Sequence, residues 1–393
     1  MQGYIYPNEL ELHWSLLVVL YPYLTGLVAG AFILASLERV FNVKEVQPTY
    51  RLALLVALAF LLVAPLPLQA HLGHPERSYE IFMTPNRKSA MAMFGFVYAW
   101  YLTVVLLLEI WFEYRKDMVT WARAAKGPKR WLYFTLTLGA TDLSEKALRF
   151  DDTAGRWITI IGIPSAFLLH GYVGFIFGSV KANPWWSSVL MPVVFLLSAI
   201  VSGIALVLII YMVTSLARWK PVDMRCLDKL AQFLFYAIVV DLSLEALDFI
   251  HRLYESEESI GILSRLIETR LFISLIVLQL VLGTLVPLGV LGLTSPALRA
   301  QPLIRVPDEL RRLLYLGSAI LVQIGILSIR WNVVIGGQLF SKSLRGLTVY
   351  KIEFLGIEGL GMAIGLLVLP FVILGVLIKL LPPWQDAAPA PSR

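Results

Sequence analysis

Apolar residues run along this chain in long, nearly unbroken blocks separated by short polar stretches. Nine blocks, roughly 12–38, 52–72, 90–114, 157–180, 187–216, 230–252, 269–293, 310–330 and 352–382, stand out. Each is near or above the ~20 residues that an α-helix needs to cross a bilayer. A tenth stretch, "WLYFTLTLGA" at 131–140, is too short to cross and reads as an interfacial segment or half-helix. The pattern predicts an all-α, polytopic helical membrane protein with nine transmembrane helices, or ten if the short stretch is counted. It divides into a tail (1–11), a first four-helix bundle (12–180), a second (187–331), an outer loop (332–351) and a last helix with its tail (352–393).

Composition agrees with this pattern. Of 393 residues, 58% are hydrophobic and 15% charged, and the mean hydropathy is +0.74. A soluble chain of this length needs more charged surface. The single cysteine, Cys226, excludes a disulfide framework and any all-cysteine metal or iron–sulfur site within the chain. The net charge of +6 needs no nucleic-acid partner, because basic cytoplasmic loops produce the same excess. With the N-terminus outside, 22 of the 33 lysines and arginines fall on the inner side. The expected placement is therefore the inner (cytoplasmic) membrane, with the N-terminus periplasmic and the C-terminus cytoplasmic. The start "MQGYIYPNELELHW" lacks the basic n-region of a cleavable signal peptide.

Small residues recur at helix-packing spacing. The first segment has Pro22, Gly26 and Gly30, and the fifth has Pro192, Ser198, Ser202 and Gly203. A weak repeat relating the two bundles is one reading; ordinary small-xxx-small packing is the other.

The polar residues inside the apolar blocks carry the candidate chemistry. His13, His71, His74 and His170 fall at the outer end of the first four segments, with Tyr21, Tyr23 and Tyr172, and His251 ends the sixth on the same side. A quinone needs an apolar slot, donors for two carbonyl oxygens and a proton route to water, which histidine and tyrosine supply. Interfacial anchoring is the competing role for each residue alone. The candidate quinone residues are Tyr172, His170, His71, His74, Tyr21 and Tyr23, with menaquinone or ubiquinone as the cofactor. A membrane haem needs facing mid-membrane histidines; His71 with His170 is the one conceivable pair, and the expectation is no haem or metal in the chain.

In "DLSLEALDFIH", Asp241, Glu245 and Asp248 share one face of the sixth segment. Glu353 and Glu358, taken as part of the ninth, with Gln279, Gln323 and Arg330, could continue a polar path. A proton route and a buried network with Arg252 or Arg330 fit equally well. Arg77, Arg87, Lys88 and Arg330 are candidate docking cations on the outer face. Gly336-Gly337 in "IRWNVVIGGQLF" permits a sharp turn, leading either a docking loop or a plain connector.

The motifs "YPYLTGLVAGAF", "HPERSYEIFMTPNRKSAMAMFG", "GIPSAFLLHGYVGFIFG", "PVVFLLSAIVSGIAL" and "RWNVVIGGQ" together resemble the NrfD/PsrC-like family of polysulfide-reductase-type membrane subunits. The length resembles its longer branch, which includes the membrane subunit P of the sulfite-reduction-associated Dsr complex. The resemblance implies a haem-free quinone or quinol site near the outer face and an iron–sulfur, ferredoxin-like partner docked there. Tyr172 matches the family's quinone-contacting tyrosine, and His71 or His74 occupies the region of a polar quinone-side residue. Where shorter members place a histidine in the first helix, this chain has Tyr21. In the longer branch the resemblance also implies coupling to proton movement, with Asp241, Glu245, Asp248 and Glu358 as candidates. The expected function is a quinone-interacting membrane subunit of a respiratory oxidoreductase in sulfur-compound metabolism. The alternatives are a secondary transporter or proton-translocating subunit, and an anchor without quinone chemistry.

Overall fold

The computed structural model describes residues 2–255, 259–295 and 306–384. Among them, eight helices are long and apolar enough to span: α1 (Leu16–Arg39), α2 (Lys44–His71), α3 (Ala92–Ala124), α4 (Glu145–Gly178), α5 (Met191–Ala217), α7 (Ile260–Leu293), α8 (Asp308–Val334) and α9 (Leu360–Leu380). A ninth, α6 (Met224–Glu255), is as long but carries acids in its second half. All nine coincide with the predicted blocks, so the chain is a multi-pass helical membrane protein. The segment at 131–140 holds only the nine-residue helix Pro128–Leu136, exposed and without a span.

Local signals set the helix ends. The Ser15 hydroxyl accepts from Leu17 N, and the Tyr350 hydroxyl accepts from Leu16 N, so two first-turn amides of α1 are satisfied by side chains. Pro22 leaves a gap in the α1 ladder, which neighbouring helices shield. Helix α4 starts at Glu145 because Ser144 caps it, and its polar first turns extend well beyond the expected start near 157. At about 50 Å, α3 and α4 outreach a ~30 Å hydrocarbon core. Their protruding turns are tied by Arg115 to Asp151, with Arg115 Nε donating over 2.7 Å. Helix α9 starts at Leu360, not at 352, because Gly356 with φ +106 breaks the run.

Helices alternate in direction, so two faces form. The N-terminus, the 72–89 connection, the 179–190 linker and residues 339–359 share one, called here the N-face. There Gln2–Gly3 pairs antiparallel with Gly346–Leu347, and Trp14 stacks on Trp186 at 5.1 Å. On the opposite face Arg51 bridges Glu113 and Asp117, both at 2.7 Å, and Arg311 meets Asp228 at 3.4 Å.

Helices α1 and α5 form the centre. They cross at Gly30 and Gly203, where an added Cβ on Gly30 would lie 2.0 Å from the Ala199 carbonyl oxygen. On Gly203 it would lie 2.2 Å from the Gly30 carbonyl carbon. The small-residue motifs therefore mark one direct backbone crossing. Helices α4 and α8 flank this pair, α2 and α9 pack on the α1 side, and α6 and α7 on the α5 side. Gly336 and Gly337 do not make a sharp positive-φ turn. Glycine is needed there because the Trp186 indole closes on residue 337, 2.0 Å from where a Cβ would be. Trp185 and Trp186 donate from Nε1 to the Asn332 and Val333 carbonyls at 2.8 and 2.6 Å, sealing the end of α8.

Candidate functional site

Residues 170 and 172 of α4 point to opposite sides, as two-residue spacing on a helix requires. His170 is wholly buried among α1, α5 and α8. Its Nε2 lies 3.2 Å from Arg330 Nη2 and its Nδ1 3.2 Å from Thr25 Oγ1. A guanidinium only donates, so Nε2 accepts and the imidazole proton sits on Nδ1. Thr25 in turn donates to the Tyr21 carbonyl at 3.0 Å. The result is a one-way chain, Arg330 to His170 to Thr25 to the α1 backbone. Arg330 also donates to Ser198 Oγ at 2.7 Å and lies 4.2 Å above the Phe195 ring. Tyr23 joins from the next turn, donating to Gln323 Oε1 at 2.8 Å, and Gln323 donates to the Ser202 carbonyl at 2.6 Å. Polar groups of α1, α4, α5 and α8 thus pair with one another, while Arg330 Nε and Nη1 have no partner among the described residues.

This corrects the expectation for Arg330. It is the bulkiest fully buried side chain among the described residues, so it offers no docking surface. The apolar pattern ends its helix at 330, whereas α8 continues to Val334 and carries Arg330 inside the bundle.

Tyr172 faces α3 instead. Its ring stacks on Phe94 at 5.9 Å, and Tyr21 meets Phe94 edge-on at 5.4 Å. Both phenol hydroxyls are shielded and have no hydrogen-bond partner among the described residues. Buried hydroxyls left unsatisfied cost about 1–3 kcal/mol each, so the two phenols are uncompensated donors. His71 is near the same end: its Nδ1 lies 3.0 Å from Glu358 Oε1, on the short helix Leu66–His71 that packs against α1 and α9. Of the six expected quinone residues, the structure brings Tyr21 and Tyr172 onto one ring, Phe94, while His71 pairs with Glu358 at the same end of the bundle. Tyr23 and His170 belong to the central network. His74 stands exposed on the connection, paired with Glu76 at 3.0 Å. His71 and His170 are committed to different partners and do not face each other.

The acids divide similarly. Asp241, Glu245 and Asp248 do line one side of α6. Asp241 is buried, with Oδ1 lacking a partner. Glu245 accepts from Gln279 Nε2 at 3.2 Å, and Asp248 takes Arg252 Nε at 3.0 Å and the Ser188 hydroxyl. Glu353 and Glu358 do not continue this row. Both precede α9, Glu353 exposed and Glu358 held by His71, on the α2 side of the molecule. Among the expected docking cations, Arg87 and Lys88 are exposed on the N-face. Arg77 is bound to Glu80 at 2.8 Å, and its hydrogen bond holds the Glu80 carboxyl below the usual range.

Sequence reasoning passed over Glu109. Among the described residues it is one of the most buried acids, and its Oε1 accepts from Tyr50 at 2.8 Å and Thr159 at 2.6 Å, while Oε2 has no partner. The signal was present: a lone acid inside "VVLLLEIWF". Glu109→Gln keeps an acceptor for both hydroxyls, whereas Glu109→Leu orphans them. Thermal unfolding in detergent should therefore place Leu about 2 kcal/mol below Gln; equal stabilities would show that the carboxyl oxygen holds nothing.

The chain is similar in sequence to subunits of several oxidoreductases. A selenate reductase subunit of Mesobacillus selenatarsenatis is 36% identical over 250 residues, covering 61% of this chain and 57% of the relative. A putative dimethyl sulfoxide reductase membrane subunit of Halobacterium salinarum is 29% identical over 204 residues, 50% of this chain and 42% of that one. The Hdr-like menaquinol oxidoreductase integral membrane subunit of Archaeoglobus fulgidus is 26% identical over 196 residues, 50% and 40% of the two chains. The chain spans about half the length of these relatives. The family profile described as polysulphide reductase, NrfD, matches residues 7–342, which take in α1 to α8, and the chain belongs to that family.

Proposed function

We propose that the chain is the quinone-interacting membrane subunit of a multi-subunit respiratory oxidoreductase. It would exchange electrons between a membrane menaquinone or ubiquinone and an iron–sulfur subunit docked on the N-face, in sulfur-compound or related oxyanion metabolism. The N-face would be periplasmic, as the basic-residue bias favours. The observation that carries this reading is the pair of unsatisfied phenols that meet Phe94. A bound quinone would supply a two-electron, two-proton couple. Tyr21 and Tyr172 would donate to its carbonyl oxygens, and Phe94 would hold the ring by stacking. The His71–Glu358 pair, at the rim, would hold a proton at Nδ1 between site and solvent. Arg87 and Lys88, with exposed Tyr79 and Met83 nearby, would form the partner's landing surface.

Because neither hydroxyl has a partner among the described residues, Tyr21→Phe and Tyr172→Phe are expected to leave the unfolding temperature of the purified chain unchanged or higher. Each should weaken binding of a short-chain quinone in nanodiscs about tenfold, the worth of one neutral hydrogen bond in a dry site. Unchanged affinity in the double variant would remove the proposal.

A second reading, proton movement through α5–α8, is favoured by the partnerless Asp241 oxygen beside the Glu245–Gln279–Asn332 series. Its test is Asp241→Asn in proteoliposomes: the reading requires proton flux in the native chain and its loss in the variant.

A further inference from the structure

We infer that the α5–α8 half holds a second ligand site, selective for a hydroxyl-bearing aromatic amphiphile of the hydroquinone type. The inference rests on the quinone reading above for the kind of molecule, and on separate residues for the place. A cavity of about 280 Å³ opens between the N-face ends of α5, α6, α7 and α8. Small-molecule sites run from about 300 Å³ upward, so this one suits a headgroup with its tail left in lipid.

The position is the first argument. The Tyr21–Phe94–Tyr172 cluster uses the start of α1, the start of α3 and the end of α4, with His71 at the end of α2. The cavity uses the start of α5, the end of α6, the start of α7 and the end of α8. The same four helix ends, in the same order, frame both places. Alternation of helix direction brings these ends to the N-face in both halves.

The lining is the second. Its walls are mostly apolar, with Met191, Phe195, Leu263 and Leu275 among them. Its polar groups are held in a fixed orientation. Ser274 donates to Asn332 Oδ1 at 2.6 Å, Asn332 Nδ2 donates to Gln279 Oε1 at 2.8 Å, and Gln279 Nε2 donates to Glu245 Oε2 at 3.2 Å. That series turns the Gln279 amide donors towards Glu245 and leaves Glu245 Oε1 with no hydrogen bond among the described residues. Asp248 is already matched by Arg252. The vacant polar position is thus a carboxyl oxygen, an acceptor in its ionised form. A ligand with only carbonyl oxygens would face it with a lone pair, whereas a phenolic hydroxyl would donate to it. The first cluster offers donors and suits carbonyls; the second offers an acceptor and suits hydroxyls.

The experiment is photolabelling of the full chain in nanodiscs with an azido-benzohydroquinone kept reduced, followed by peptide mapping. The expected result is adducts on the cavity stretches of α6 and α7, suppressed by excess short-chain benzohydroquinone about tenfold better than by the matching quinone. Val194→Phe, which fills the cavity from α5 without touching a polar group, should abolish them. Glu245→Gln, a second variant in case the first fails to fold, should erase the preference for the reduced competitor. Adducts confined to α1, α3 and α4 would overturn this inference and leave the quinone reading standing. No adducts at either place would overturn this inference, whereas the quinone reading stands or falls on the quinone affinity of the Tyr21→Phe and Tyr172→Phe variants. Adducts in α6 and α7 displaced equally by quinone, or by added phospholipid, would mean a lipid-filled crevice and overturn it as well.

Discussion

Gly30→Val is expected to take the protein apart. The backbones of α1 and α5 meet at this residue, and the first added carbon already falls 2.0 Å from the Ala199 carbonyl oxygen. Backbone cannot step aside as a flexible side chain can, so the helices must separate. Overpacking usually costs about 1–3 kcal/mol, and the upper end or beyond applies where the obstacle is main chain. Separation would also break the Thr25–His170 contact, adding the loss of a buried hydrogen bond. Membrane yield and thermal unfolding in detergent would read the loss. Gly289→Ala is the control: its Cβ meets nothing within 4 Å and should change stability by no more than about 0.5 kcal/mol. If Gly30→Val behaves like this control, the close crossing is not what holds the centre together.

Arg330→Met should be nearly as damaging, for an electrostatic reason. The guanidinium serves Ser198 and His170 through Nη2 and covers the Phe195 ring. It is also the cation whose field reaches Asp241 and Glu245. Removing it strips buried His170 Nε2 of its donor, and a buried acceptor left unsatisfied costs about 1–3 kcal/mol. Arg330→Lys keeps the charge but loses the planar fork and the stacking, so its unfolding temperature should lie between the two. A methionine variant as stable as the native chain would mean that the α4–α8 contact is carried by apolar packing alone.

How far the molecule could be read from its letters depends on what each letter reports. Apolarity reports where hydrocarbon lies, so every spanning block was visible. Helix ends answer to hydrogen bonding, which apolarity does not track. The cap at Ser144 and the break at Gly356 lengthened α4 and shortened α9 against expectation. The same limit displaced Glu353 and Glu358 from the spanning helix. Site residues were visible by type and depth, not by direction. His170 and Tyr172 stand two apart, and only the position of α3 and α8 tells which of them meets Phe94 and which meets Arg330. Glu109 carried the plainest signal of all, a carboxylate in an apolar run. No second polar residue nearby in sequence points from it to Tyr50 and Thr159, which come from other helices.

The two faces of α4 carry one consequence. Positions 170 and 172 lie about 200° apart around a single rigid cylinder, so the phenol side cannot tilt without turning the imidazole side. With the ring proton placed on Nδ1 by its neighbours, a nitrogen-15 label at His170 becomes a remote gauge of whatever leans on Tyr172. Strain entering from the first half of the chain would be heard, through one axle, by the arginine that anchors the second.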